Sequence, residues 1–552
     1  MPSKKSIRKK STKSKKTSSG KTHRLHNKKE SNKRETIKSK KKDNSSDKET
    51  SEELEKSEGS VEEQHSVSKT KQKKDDNQKI NYEPIIYEIP KEKEPIFKND
   101  VSPIYSSSYA FPRLDLGFHY YIHTAKSKME LTTQIKFNKN IYNVVLPFET
   151  EISENINSSN VSSKTEKSET DENNKIENSI NQYSRKFFAK KPEILSRGFF
   201  KLWEILNMFD LIPLNASKFS SAHLAEAPGG FAQATVYFRE LYSTVSDDKR
   251  SDKFYGISMT TTDKKHKHSN KKIDTEFTKY YSENNKKQKA SKFITYKACD
   301  EEVAAGVKGD LTNPVCIKNF TDKFKSNKVM FVTADGGFDW QNENIQEQEA
   351  IKLILGQICT AIKIQDDKGN MIIKFFEIFT GVSLKLIALL ASCYNKVYIV
   401  KPLTSRESNS ERYIICIGFH LSEKETKKIF SDLLSVIEES DKKNSQIIDI
   451  YPDYQIPIKL KGTLCAINTE ISNRQIVVIN KIIAYIKTNN QYGNLYSLYK
   501  ENQIKANNYW VNLFFNSDHG HTTRMTQLIL KYILPKTINN AEKFISIFKK
   551  SE

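Results

Sequence analysis

Residues 224–231 read LAEAPGGF, and this stretch indicates the fold more than any other. It follows an apolar run at 219–225 (FSSAHLA) and opens a helix candidate at 231–242. Paired glycines at such a turn let a ligand approach the backbone closely, and a helix N-terminus attracts a carboxylate or phosphate. The stretch is neither a G-x-G-x-x-G fingerprint nor a P-loop, because no G-K-[ST] follows. On spacing alone, an ordinary tight turn is an equal alternative.

Strand and helix candidates alternate along the chain beyond this turn. Six further apolar runs indicate strands, at 254–259, 293–298, 328–334, 370–376, 396–400 and 412–418. Helix candidates lie at 196–210, 231–242, 344–364 and 382–394. This alternation predicts an α/β fold, with a mostly parallel sheet of seven strands and helices on both faces. Residues 401–411 are too few for a helical crossover, so we expect the last strand to be antiparallel.

Composition divides the rest of the chain. The 552 residues carry a net charge of +22, and 14 of these charges lie in residues 1–50, which hold only four hydrophobic residues. A lysine-rich stretch at 263–289 is predicted to be an exposed insertion. The predicted regions are a disordered basic tail (1–80), an ordered extension (81–149), a disordered acidic insertion (150–184), the α/β domain (185–420) and a mainly helical C-terminal region (421–552).

Charge and cysteine usage narrow the class of protein. No apolar run approaches the ~20 residues that span a bilayer. The charged N-terminus has no apolar stretch behind it, so it is not predicted to be a secretory signal. The six cysteines form no C-x-x-C pair, which argues against a zinc ribbon or disulfide scaffold and favours a reducing compartment. His519-Gly520-His521 has no further ligand pattern around it, so no metal site is predicted. The positive charge indicates a polyanionic partner such as nucleic acid.

Several motifs, spread over about residues 196–419, resemble those of the FtsJ-type (RrmJ-type) methyltransferases. The APGGF turn resembles their cofactor loop, and residues 196–202 (SRGFFKL) resemble their S-R-x-x-x-K-L stretch. Residues 334–337 (ADGG), 369–375 (GNMIIKF) and 401–413 (KPLTSRESNSERY) resemble three further motifs, with Asn409 where a second serine is usual. The resemblance implies a Rossmann-like methyltransferase sheet and methyl transfer from S-adenosyl-L-methionine to a ribose 2′-hydroxyl of RNA.

The resemblance also implies a catalytic group of Lys201, Asp335, Lys374 and Glu411. A ribose hydroxyl is a poor nucleophile that must be held in line with the methyl group, and an ordinary lysine titrates near ~10.4. We expect the cation Lys201 to lower the pKa of Lys374, the base or hydroxyl-orienting group, while Asp335 and Glu411 orient it. Each residue alone would more simply be a surface charge, and only their joint occurrence favours catalysis.

The cofactor-binding residues that the resemblance implies are Glu226, Ala227, Pro228, Gly229, Gly230, Phe231, Asp310, Leu311 and Asp335. Asp310 corresponds to the aspartate that meets the adenine amino group, although a turn or cap residue is an equal alternative. Many members have aspartate at the end of the first strand, where this chain has His223. Glu226 would then replace that carboxylate near the amino end of the cofactor. Residues 257–259 lack the acidic residue that many such enzymes use on the ribose.

The turns resemble those of eukaryotic and viral cap ribose methyltransferases most. This implies capped mRNA as substrate, with other capping or transcription proteins as further partners and no membrane. The alternatives are a ribosomal RNA methyltransferase and a non-catalytic RNA-binding protein with this fold. The composition, rich in lysine, asparagine and isoleucine, fits an AT-rich genome such as that of a large DNA virus. We expect a cytoplasmic protein, in a viral factory or virion if it is viral, or a nuclear protein if the basic tail directs import. Trp340, Tyr105 and Tyr121 are candidates for stacking on a base.

Overall fold

The computed structural model describes residues 82–92, 94–135, 140–149, 179–261, 272–286, 290–295, 307–337, 342–489 and 492–515. The strands, numbered in chain order, are β1 (Ile85–Glu88), β2 (Ile104–Ser106), β3 (Lys218–Leu224), β4 (Ser251–Ile257), β5 (Thr260–Thr261), β6 (Ser291–Thr295), β7 (Val307–Lys308), β8 (Val329–Ala334), β9 (Gln365–Phe375), β10 (Tyr394–Lys401), β11 (Arg412–Phe419) and β12 (Gln446–Asp449). The helices are α1 (Leu116–Ser127), α2 (Ile180–Phe187), α3 (Gly198–Met208), α4 (Gly230–Tyr242), α5 (Thr275–Tyr280), α6 (Pro314–Asp322), α7 (Gln346–Ile364), α8 (Gly381–Cys393), α9 (Glu423–Lys443), α10 (Ile458–Lys487) and α11 (Asn494–Phe514).

The central sheet has the strand order β1-β10-β11-β9-β8-β3-β4-β6. The pairs from β9 to β6 are parallel, and β11 is antiparallel to both β9 and β10. The predicted α/β class and the antiparallel last strand are therefore confirmed. The predicted count of seven strands is one short, because β1 pairs antiparallel with β10 as an eighth. Ile85, Ile86 and Tyr87 are all buried, as a sheet strand covered on both faces requires.

The two faces of the sheet are covered by different helices. Successive residues of a strand face opposite ways, and Ile373 packs in the cluster formed with α6 to α10. Its neighbour Ile372 packs in the other cluster, formed with α2 to α5 and α11. The same alternation places Lys374 on the α3 side of the sheet, as it does Tyr413. Lys374 and helix α3 therefore lie on the same face of the sheet, the face covered by the second cluster.

The C-terminal helices belong to these same two layers. Leu464 of α10 is buried in the first cluster, and Trp510 of α11 is buried in the second. The indole Nε1 of Trp203, on α3, donates to the main-chain oxygen of Phe514 at 2.7 Å. The predicted helical character of the C-terminal region is present in α9 to α11, but these helices complete the core of the α/β domain.

Parts of two predicted insertions are ordered elements. Helix α2 begins at Ile180, inside the predicted disordered range 150–184, because Ser179 caps it and Ile180 is buried. Helix α5 lies inside the predicted exposed insertion 263–289, and its Phe277 is fully buried. Several predicted features lie outside the described residues. They are the basic tail, residues 150–178, Trp340, the His519–His521 pair and residues 525–534 of the predicted helical C-terminal region. Within the described parts, no helix is both long and apolar enough to cross a membrane.

Candidate active site

Two of the predicted catalytic residues, Asp335 and Lys374, lie at the carboxyl ends of neighbouring parallel strands. Asp335 is the first residue beyond β8, and Lys374 is the next-to-last residue of β9. Tyr413 of β11 stands directly opposite Lys374 in the ladder. In open α/β sheets, ligands bind beyond the carboxyl ends of the strands where the strand order reverses. Here the order reverses between β3 and β8, so Asp335 lies at that point.

The four predicted catalytic residues form two ion pairs. Nζ of Lys374 lies 3.1 Å from Oδ1 of Asp335 and donates to the main-chain oxygen of Asp335 at 2.8 Å. Nζ of Lys201, which α3 brings to the sheet, lies 2.7 Å from Oε1 of Glu411. All four side chains are mostly buried. The structure thus brings the predicted set together, as one Lys–Asp pair and one Lys–Glu pair.

Glu411 connects the two pairs electrostatically. Burial would raise the pKa of its carboxyl group, but the ammonium groups of Lys201, Lys374 and Lys401 lower this pKa well below its ordinary value. The hydroxyl of Ser405 also donates to Oε1 of Glu411 at 2.8 Å. Lys201 was expected to act on Lys374, whereas its contact is with Glu411. Glu411 is therefore an ionised carboxylate between cations.

Tyr413 completes the site and was missed as a site residue. Its hydroxyl donates to Oδ1 of Asp335 at 3.0 Å. Burial, and next the negative charges of Asp335 and Glu411, raise the pKa of Tyr413 far above its ordinary value, so the phenol stays a donor. Its only signal in the sequence was its place at the end of the 401–413 motif. Ser405 and Lys401 carried the same kind of signal, and neither was predicted as part of the site.

The glycine pair shapes the turn between β3 and α4. Gly229 has φ +119°, a conformation that strains any residue with a side chain. A Cβ on Gly230 would lie 2.3 Å from Oγ of Ser196 and 3.0 Å from the main-chain nitrogen of Phe199. The turn is therefore packed directly on the start of α3, the helix that carries Lys201. Only glycine at both positions allows this approach.

The other predicted residues of the turn are held by the protein itself. The N–H of Ala227 donates to Oγ of Ser258 at 3.2 Å, and the main-chain oxygen of Pro228 accepts from Asp274 at 2.9 Å. Phe231 is buried in the core, with its ring 5.7 Å from that of Tyr413. These residues set the shape of the turn and its distance from the site.

Glu226 is a buried carboxylate at the same end of the sheet. Its Oε1 accepts from the N–H of Ala232 at 2.8 Å, whereas Oε2 is buried without a hydrogen-bond partner among the described residues. Burial, with a further contribution from the negative charge of Asp335, raises the pKa of Glu226 to about 8. An ammonium group beside Oε2 would supply both the missing hydrogen bond and the opposite charge. The residues present therefore fit a ligand with a cationic amino end.

Asp310 lies in a tight turn that reaches the same edge. Its Oδ1 accepts from the N–H and the hydroxyl of Thr312, both at 2.8 Å. A Cβ on Gly309 would lie 2.3 Å from the main-chain oxygen of Ser258, the residue that also contacts the glycine-rich turn. Leu311 is buried. The role of a turn residue explains both hydrogen bonds to Oδ1 of Asp310. Contact of Asp310 with an adenine amino group stays a prediction.

His223 is a core residue that joins two strands. Its Nε2 lies 2.8 Å from Oγ of Ser221, and its Nδ1 lies 2.8 Å from Oγ1 of Thr333 on β8. Burial lowers the pKa of His223 to about 3, so the ring is neutral. The position where many family members have aspartate is therefore structural here. In the described ranges, no group of three His, Cys, Asp or Glu side chains could hold a metal ion.

Two of the stacking candidates can be compared. The hydroxyl of Tyr105 donates to the main-chain oxygen of Val436 at 3.1 Å, and Nζ of Lys443 lies 4.2 Å from its ring centroid. Tyr105 is thus used in packing β2 against α9. Tyr121 on α1 is 63% exposed, beside Tyr120, which is 67% exposed. Of the two candidates, Tyr121 is the exposed one.

Comparison with curated proteins gives relatives of one kind. Cap-specific mRNA (nucleoside-2′-O-)-methyltransferase 2 of Drosophila melanogaster is 24% identical over 48% of this chain and 36% of its own length. Cap-specific mRNA (nucleoside-2′-O-)-methyltransferase 1 of Danio rerio is 28% identical over 44% of this chain and 28% of its own length. The human protein of the same name is 41% identical over 20% of this chain and 14% of its length. The chain thus covers between 14% and 36% of these relatives.

Two further comparisons concern the domain. A solved structure bearing the name ribosomal RNA methyltransferase, from Plasmodium falciparum, covers 41% of this chain and 98% of its own, at TM-score 0.27 and 16% identity. The model of the FtsJ-like methyltransferase family matches residues 194–419. This range contains β3 to β11 and the whole of the predicted catalytic set. The predicted motifs all lie within the range that matches the FtsJ-like methyltransferase family model, so this part of the chain is similar to that family.

Proposed function

We propose that this protein is an S-adenosylmethionine-dependent RNA 2′-O-methyltransferase that acts on the cap-proximal ribose of mRNA. The observation that carries the proposal is the pair of Lys374 and Asp335 beside Tyr413, next to the pair of Lys201 and Glu411. This arrangement lies at the carboxyl ends of the strands in an FtsJ-like domain. The names of the curated relatives support the cap-proximal ribose as the substrate.

Residues of the glycine-rich turn would hold the methyl donor. S-adenosylmethionine supplies an electrophilic methyl group when it is bound. The unpartnered Oε2 of Glu226 would accept from its amino group, and the N-terminus of α4 would attract its carboxylate. Asp310 would accept from the adenine amine, as the family resemblance implies. The absence of side chains at Gly229 and Gly230 lets the turn pack against residues 195–199, and this packing sets the path of its backbone.

Lys374 is the group that takes the proton of the ribose hydroxyl. A neutral amine has two N–H donors and one lone pair. Both donors have acceptors on Asp335, the main-chain oxygen at 2.8 Å and Oδ1 at 3.1 Å, which leaves the lone pair for the substrate. A Cβ on Gly337 would lie 3.3 Å from Nζ of Lys374. The absence of a side chain at Gly337 therefore leaves room beside this amine for the substrate. The lysine is thereby oriented before the substrate arrives.

The remaining site residues balance charge around Lys374. Tyr413 donates to the same oxygen of Asp335 that contacts Lys374, which fixes the carboxylate in place. Lys201 neutralises Glu411 directly. With two carboxylates and two lysines, the set is neutral when both lysines are protonated. Its net charge becomes −1 when Lys374 is the neutral base, and uptake of the hydroxyl proton by Lys374 restores neutrality.

The exposed ring of Tyr121 is our proposed contact for a nucleobase near the site. Helix α1, which carries it, is held to the segment after β8 by Asn344, whose Nδ2 donates to Oγ of Ser127 at 3.0 Å. A stacked base contributes about 1–3 kcal/mol to binding. Tyr121→Ala should therefore raise KM for RNA about tenfold or more, with little change in kcat.

The test is methyl transfer from labelled S-adenosylmethionine to two RNAs of one sequence, capped and uncapped. The proposal predicts labelling of the capped RNA, loss of at least about 100-fold in kcat for Lys374→Met, and near wild-type activity for Lys385→Met. Lys385 on α8 is a matched control because it is another buried lysine, and its Nζ lies 3.1 Å from Oδ1 of Asp449 on β12. Preferential labelling of uncapped RNA would contradict the cap assignment, and full activity of Lys374→Met would contradict the mechanism.

A further inference from the structure

A third lysine lies buried directly behind the catalytic set. Lys401, the last residue of β10, is 4% exposed. Its Nζ donates to the main-chain oxygen of Glu411 at 2.8 Å and to the main-chain oxygen of Asn409 at 2.9 Å. It also contacts Oδ1 of Asn409 at 3.1 Å and Oγ of Ser405 at 3.4 Å. One ammonium group therefore holds together the whole loop between β10 and β11.

The acceptors of this ammonium group are all uncharged. They are two main-chain oxygens, one amide oxygen and one hydroxyl, and within the described residues no carboxylate forms an ion pair with Lys401. Lys385 differs, since both carboxylate oxygens of Asp449 lie 3.1 Å from its Nζ. A buried charge without an opposite partner costs stability. Packing of the loop alone does not require a charged side chain at this position. Lys401 lies beside Glu411, and this position indicates a role in the candidate active site.

The contact with Ser405 carries the effect of Lys401 to the site. An ammonium group only donates, so Lys401 engages a lone pair of the Ser405 oxygen. The hydroxyl hydrogen of Ser405 is then directed to Oε1 of Glu411, 2.8 Å away. The same Oε1 lies 2.7 Å from Nζ of Lys201. A continuous chain of contacts thus runs from Lys401 to the predicted catalytic pair.

We propose that Lys401 is a positioning residue for methyl transfer, which holds the Ser405–Glu411 hydrogen bond in place and adds a positive charge next to the catalytic set. The inference rests on the proposed function for its kinetic part. Asn409 is part of the same hydrogen-bond network, because its amide oxygen accepts from Lys401 at a position where the family usually has serine.

The charge of Lys401 is sensitive to its surroundings. Burial lowers the pKa of Lys401 to about 7, opposed by the negative charge of Glu411. The charged groups that act on it are Glu411, Arg412, Glu407 and Lys201. When protonated, Lys401 adds a positive charge beside Glu411. Removal of this charge should therefore change the pH dependence of methyl transfer.

The experiment compares Lys401→Met, Ser405→Ala and the control Lys385→Met in the full chain. For Lys401→Met we expect kcat to fall about 100-fold, with KM within about threefold. The acidic limb of its kcat–pH profile should move upward by about one pH unit. Ser405→Ala should lower kcat without moving the limb, because it breaks the contact and keeps the charge. Lys385→Met should resemble the wild type in both measurements.

A crystal structure of Lys401→Met gives a readout that does not depend on activity. The distance from Oγ of Ser405 to Oε1 of Glu411, now 2.8 Å, should lengthen beyond hydrogen-bonding range. An unchanged distance together with an unmoved pH limb would overturn the inference, as would wild-type kcat in both Lys401→Met and Ser405→Ala. If the wild type labels neither RNA, the proposed function fails, while the distance still decides whether Lys401 positions Glu411.

Discussion

Replacing Glu377 with glutamine should remove an acid-sensitive part of the stability. Glu377 follows β9 and lies buried 2.9 Å from Nζ of Lys126 and 3.5 Å from Nε2 of His123, both on α1. Burial would raise the pKa of Glu377, but Lys126, and next His123, lower it from 4.5 to about 2. The pair thus anchors α1 three residues beyond Lys374.

The size of the effect follows from this pKa. One pKa unit corresponds to about 1.4 kcal/mol, so a folded value near 2 against 4.5 adds about 3 kcal/mol to the free energy of unfolding. Because the pKa of Glu377 is lowered on folding, this contribution is fully present above pH 4.5. It is lost as the pH falls toward 2, and about 1 kcal/mol remains at pH 3.

Urea unfolding of the wild type and Glu377→Gln at pH 6 and pH 3 measures this contribution. The difference in free energy of unfolding between the two proteins should shrink by about 2 kcal/mol from pH 6 to pH 3. The control is Glu438→Gln, which removes a surface pair with Lys318 at 2.8 Å, and its difference from the wild type should stay within about 1 kcal/mol at both pH values. An unchanged gap for Glu377→Gln would refute the assignment of an ionised, buried pair.

Three further substitutions test the turn, the site and the C-terminal contact. Gly230→Ala places a Cβ against the start of α3 and should weaken S-adenosylmethionine binding at least about tenfold, measured by calorimetry, and unchanged affinity would contradict the packing described. Tyr413→Phe removes the hydrogen bond to Asp335 and should lower kcat about 10- to 100-fold with little change in KM, which steady-state kinetics on capped RNA would show or exclude. Trp510→Phe removes the indole that donates to Glu204 at 3.1 Å and should cost about 1–3 kcal/mol in urea unfolding, whereas equal stability would mean that α11 is not held through this contact.

Seven strands of the central sheet could be predicted because each is a short apolar run bounded by loops or helices. The eighth, β1, could not be assigned to the sheet, since its pairing with β10 joins residues more than 300 positions apart. The same limit applies to α5, whose lysine-rich surroundings hide the buried rings of Phe277 and Tyr281. Composition describes the average surface of a segment, and two aromatic side chains are enough to bring it into the core.

The predicted catalytic residues could be found because each lies in a motif of its own. Their contacts could not, because they depend on how three strand ends and one helix meet. Tyr413 reaches Asp335 only through the register of β11 with β9. His223 is satisfied by hydroxyl groups on two strands, and no local pattern shows that both lie within 2.8 Å of its ring. Lys401 was visible as a motif residue, but its burial follows from the folded loop.

The most direct measurement is methyl transfer to capped RNA and to the same capped RNA with a 2′-deoxyribose at the cap-proximal nucleotide. The two substrates differ by one oxygen, the proposed nucleophile. We expect one methyl group per capped RNA and no transfer to the deoxy substrate, with Lys374→Met inactive on both. Equal labelling of the two substrates would contradict the claim that Lys374 and Asp335 serve a ribose 2′-hydroxyl.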